Sequence, residues 1–128
     1  MDPSRDQLRD LSTRLLRLHK VLLDRERQAY EDRYGAVPAG ELFRLLLHDE
    51  RFAWLRALST MIAKVDEAVD AEEEIPPEVV DRAFAAVHQL LKSGGESDFQ
   101  QRYQDALQTS PDVVMAHAEV SKLLPRAS

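Results

Sequence analysis

Along the first quarter of the chain, apolar residues recur at spacings of three, four and seven. Leu8, Leu11, Leu15, Leu18, Leu22 and Ala29 form one stripe, and Leu16, Leu23 and Tyr30 form a second beside it. That period belongs to an amphipathic helix. It predicts one helix over Pro3–Tyr34, with Asp2 as cap, Pro3 at the first helical position and Gly35 as the stop. At 1.5 Å per residue the helix is ~48 Å long. Its apolar face is too wide for a two-stranded seam and suits a bundle with several neighbours.

Ala36–Gly40 reads as a turn, followed by a short helix, Glu41–His48, carrying Leu42, Phe43, Leu45, Leu46 and Leu47. Asp49 is placed to cap a longer helix over Glu50–Ala71, with Trp54, Leu55, Leu58, Met61, Ile62, Val65 and Val69 on one side. The acidic stretch Glu72–Glu74 and the pair Pro76-Pro77 make a linker. A third long helix, Pro77–Lys92, turns Val80, Ala83, Phe84, Val87 and Leu91 inward, and Ser93-Gly94-Gly95-Glu96 ends it. Ser97 or Asp98 then caps a helix bearing Phe99, Tyr103, Ala106 and Leu107. Ser110 and Pro111 start a last one that runs to Leu124. The pattern predicts a single all-α domain over residues 1–128: an up-and-down bundle of four long elements broken into five or six helices.

Composition narrows the function classes. The 128 residues include no Cys, which removes disulfides, thiolate metal sites and thiol chemistry. A formal charge of −6 argues against binding nucleic acid. The charge is uneven: residues 1–64 balance at +2 and residues 65–128 at −8. Met1–Asp6 carry no apolar run of the signal-peptide kind, and no stretch is long enough to span a membrane, so a cytoplasmic protein is expected. No Gly-rich phosphate loop, Gly-x-Ser-x-Gly elbow, Glu-x-x-His pair or His-Glu-x-x-His motif occurs. No cofactor is expected.

Candidate chemistry lies where polar groups interrupt apolar faces. On a wheel of the first helix, His19 and Glu26 sit near the middle of the apolar arc, seven residues apart, and Arg33 continues the line. His117 occupies the centre of the apolar arc formed by Val113, Val120 and Leu124, Asp66 lies beside Ile62 and Val69, and Arg51 points inward at its helix start. Buried charges are costly unless paired, so His19, Glu26, Arg51, Asp66 and His117 are expected to meet in an internal polar cluster. One reading makes that cluster a network fixing helix register, with no metal. The alternative makes His19, Glu26, Asp66 and His117 a metal site or a proton-transfer pair.

A second feature is apolar excess. Leu42, Phe43 and Leu46, with Phe52 and Trp54 close behind, exceed what one small core contact needs and suggest a subunit interface.

Two stretches, 18–31 (Leu18-His19-Lys20 through Tyr30-Glu31) and 45–59 (Leu45-Leu46-Leu47-His48-Asp49 through Leu58-Ser59), resemble small bacterial helical proteins of unknown function. The resemblance implies a bacterial cytoplasmic protein and transfers no activity or site residue. The expectation is a non-enzymatic bundle acting through protein–protein contacts as a homodimer, with a further protein partner possible and neither nucleic acid nor membrane bound.

Overall fold

A computed structural model describes residues 3–92 and 97–124. Within them the chain forms α1 (Pro3–Tyr34), α2 (Ala39–His48), α3 (Glu50–Ala53), α4 (Arg56–Asp70), α5 (Pro77–Lys92), α6 (Asp98–Thr109) and α7 (Pro111–Ser121). No strand occurs among the described residues, and no helix there is long and apolar enough to cross a membrane. The expected cap Asp2 and the expected stop at 93–96 lie outside the described residues.

α1 is the axis of the bundle. It packs most extensively on α4 and α7, and also against α5. Leu8, Leu11, Leu15, Leu18 and Leu22 are fully buried along it. Burial stabilises by about 1.5–3 kcal/mol for each such side chain, so this stripe fixes which face of α1 turns inward. Ala29, expected in the stripe, is exposed, and Leu16 is 50% exposed. The helix ends at Gly35, whose φ of +96° favours glycine. Val37 then anchors the turn from a buried position: Arg27 donates to its carbonyl at 2.7 Å, and its N–H donates to Glu31 at 3.0 Å.

The expected break at His48-Asp49 is present. Asp49 is extended, and its carboxylate accepts the Arg51 N–H at 2.8 Å. The helix expected over Glu50–Ala71 is broken again at Trp54-Leu55, which makes seven helices among the described residues rather than five or six. The cause is packing. Phe52, Leu55 and Leu58 are all fully buried, at intervals of three. A tighter turn eclipses residues i and i+3, and the bonds from Leu55 N–H to the Phe52 carbonyl and from Leu58 N–H to the Leu55 carbonyl, each 3.1 Å, make that turn.

α4 and α5 follow each other through a short link held down by buried Ile75. α6 opens on a capping box between Ser97 and Gln100. Extended Ser110, whose hydroxyl accepts the Val113 N–H at 3.3 Å, turns α7 back on α6. The last helix stops at Ser121; Leu124 is buried just beyond it.

Candidate functional site

Polar residues of α1 stand at heptad spacing: Arg5, Ser12, His19 and Glu26 are buried or half-buried, while Arg33, expected to continue the line, is exposed. Seven residues advance a helix by about 10.5 Å and rotate it only slightly, so they form a ladder up one side of α1, and the first four reach toward α3, α4 and the link after α4. The Arg5 guanidinium donates to the Val69 carbonyl and, at 3.0 Å, to the Glu73 carbonyl. Ser12, which is buried, donates its hydroxyl to Asp66. His19 Nε2 and the Ser59 hydroxyl lie 2.7 Å apart. Glu26 accepts the Trp54 indole N–H at 3.2 Å and has Arg25 at 3.9 Å. Arg25 in turn reaches Thr109 at 2.8 Å, which joins this rung to α6.

The structure therefore gives His19, Glu26 and Asp66 separate partners on successive rungs and does not draw them into one cluster. Burial lowers the pKa of His19, so its imidazole is neutral at pH 7.

His117 lies elsewhere, in an aromatic row that crosses from the α3–α4 break through α6 to α7. Trp54 and Phe99 have ring centroids 5.5 Å apart, Phe99 and Tyr103 are stacked at 5.4 Å, and Tyr103 and His117 are 5.5 Å apart. The Tyr103 hydroxyl and His117 Nδ1 are hydrogen-bonded at 2.6 Å. Burial raises the Tyr103 pKa well above its ordinary value. Burial first, and then the Lys92 charge, lowers that of His117. Both groups are thus neutral at pH 7, and the contact is a hydrogen bond within an apolar row.

Arg51 also stands apart. Its guanidinium lies 5.2 Å from the centroid of the Tyr34 ring, a cation–π contact at an exposed tyrosine, with Arg33 at 5.6 Å from the same ring.

Among the described residues no three His, Asp or Glu side chains come close enough to hold a metal ion. The tetrad His19, Glu26, Asp66 and His117 is not assembled. The rungs that carry three of its members are separated by about 10.5 Å of axial rise, and the fourth belongs to the α6–α7 corner. Sequence patterning found one polar member of each pair; it did not single out Ser12 or Ser59, and it read Trp54 and Tyr103 as apolar-face positions and not as hydrogen-bond partners. The heptad that marks His19 and Glu26 also marks Arg5 and Ser12. Ser59, Trp54 and Tyr103, which lie off α1, are neutral or aromatic and leave no such trace.

The expected interface residues divide. Phe52 and Trp54 are core, fully buried and 4% exposed, which removes them from the surface. Leu42 and Leu46 are half-buried against the core. Phe43 is 62% exposed and Leu47 47% exposed. No protein-family model, curated protein or solved structure matches the chain.

Proposed function

We propose that this chain is a non-enzymatic bundle protein that acts through protein–protein contacts and pairs with a second copy through the outward face of α2. The observation behind this reading is that face itself. Ala39, Gly40, Phe43 and Leu47 are all exposed, and at about 100° per residue they fall within an arc of roughly 100°. An apolar helix face open to water is unfavourable in a monomer, whereas a twofold axis makes such a face self-complementary. With the axis at Phe43, two antiparallel α2 helices stack Phe43 on Phe43. Leu47 of each then covers the small side chains at Ala39 and Gly40 of the other. Arg44, 3.6 Å from Glu41 within its own helix, borders the patch and supplies a polar rim.

The inward polar residues take a structural part in this reading. They hold α1 in register with α3 and α4 and leave the α2 face as the reactive surface. One helix laid on another is a small interface, so association is expected at micromolar concentrations. Sedimentation equilibrium over that range tests the proposal. The wild type is expected to rise from monomer to twice the monomer mass and Phe43→Glu to remain monomeric. A wild type that stays monomeric, or a Phe43→Glu variant that dimerises as the wild type does, overturns it.

A further inference from the structure

α4 and α5 enclose a groove of about 560 Å³. Its floor is apolar and short: Met61, Ala68, Val79 and Ala83 are half-buried, and Ala86 is exposed. The charged residues in its lining are Lys64 on the α4 wall and Arg82 on the α5 wall, both exposed. Neither has an ion-pair or hydrogen-bond partner among the described residues. Several other cations are engaged: Arg14, Arg27 and Arg102 each hold a carboxylate at 3.2 Å or less, whereas Arg17 and Lys92 also have no ion-pair or hydrogen-bond partner among the described residues but do not line this groove. Two free cations facing each other across an apolar groove stand out in a chain whose residues 65–128 balance at −8.

The groove lies between two neighbouring helices and is floored largely by alanine, which lets a third helix approach closely and seat its side-chain ridge. Exposed Lys64, Arg82 and Ala86 in its lining leave it open to solvent. We propose that the α4–α5 groove docks an amphipathic helix of a partner protein whose apolar stripe is flanked by aspartate or glutamate. The apolar stripe covers Met61, Val79 and the alanines, and the flanking carboxylates meet Lys64 and Arg82. Opposite charges at the rim select the partner and speed encounter, while the apolar floor supplies the burial. The groove shares no residue with α2, so this claim goes beyond self-pairing and stands apart from it.

The test uses the full chain and a displayed library of amphipathic helices with a leucine stripe and randomised flanking positions. Enriched helices are expected to carry Asp or Glu at the flanks. As labelled peptides they should bind with salt-sensitive affinity and lose at least tenfold on Lys64→Glu/Arg82→Glu. They should also be blocked by Ala86→Trp. All three substituted positions are exposed, and unchanged thermal melts of the variants establish that they fold. No enrichment, basic or neutral flanks, or indifference to the charge reversal overturns the proposal. Displacement of the peptide by dodecanoate at equal strength overturns it in favour of a small amphiphile. Repeating the binding with Phe43→Glu separates the two surfaces. Retained binding is expected, and a peptide lost only in that variant counts against the groove and not against α2.

Discussion

His19 on α1 and Ser59 on α4 face each other at 2.7 Å, and the neutral imidazole finds its partner in a hydroxyl rather than in a charge. The rungs on either side each set a neutral donor against a carboxylate, Ser12 against Asp66 and the Trp54 indole against Glu26, which also has Arg25 at 3.9 Å. A hydrogen bond of this kind contributes on the order of 1 kcal/mol net, and the two residues act as a unit. A double-mutant cycle of His19→Ala and Ser59→Ala, measured by urea unfolding, is expected to give a coupling of about 1 kcal/mol. Strict additivity of the two losses would show that the contact does not form in solution.

The same burial makes stability depend on pH. The native pKa values of His19 and His117 are lowered, for His117 with a contribution from Lys92, while in the unfolded chain both return to about 6.5. As pH falls through that value, the unfolded state takes up protons that the native state refuses. The contribution is therefore fully present above the unfolded value and is lost progressively below it, down to the native values. Urea midpoints are expected to fall between about pH 7.5 and about pH 5.5. The slope should flatten in a His19→Gln/His117→Gln variant. A slope that survives both substitutions would assign it to other groups.

Leu15 and Leu16 are chain neighbours with opposite surroundings, fully buried and 50% exposed respectively. Leu15→Ala removes core volume beneath α4 and α7 and is expected to cost about 3–4 kcal/mol. Leu16→Ala should change stability by less than about 0.5 kcal/mol. Thermal and urea unfolding of the two variants check the rotation of α1, and comparable losses would mean that the helix presents a different face.

Much of this arrangement is legible in the residue pattern, because burial repeats along a helix. The Leu8–Leu22 stripe, the Asp49 cap and the Ser110-Pro111 start each follow from local chemistry. The second break at Trp54-Leu55 does not. It arises from seating Phe52, Leu55 and Leu58 together, a demand set by neighbours distant in sequence. The candidate cluster fails for a similar reason. Wheel positions show that His19, Glu26, Asp66 and His117 turn inward, yet inward is a direction and not a meeting point. Axial rise keeps the α1 rungs about 10.5 Å apart, and the fold of α7 onto α6 commits His117 to Tyr103. Phe52 and Trp54 looked like surplus apolar residues only while the depth of the core beneath α3 was unknown.

We propose that the outward face of α2 pairs with itself about an axis at Phe43. The chain has no cysteine of its own, so a single Phe43→Cys substitution reports on that axis alone. Under mild oxidation at micromolar concentration, Phe43→Cys is expected to convert largely to a disulfide-linked dimer. Val114→Cys, at a 46% exposed position on α7, should remain monomeric under the same conditions. Equal cross-linking of the two variants, or none at Phe43→Cys, would contradict the account.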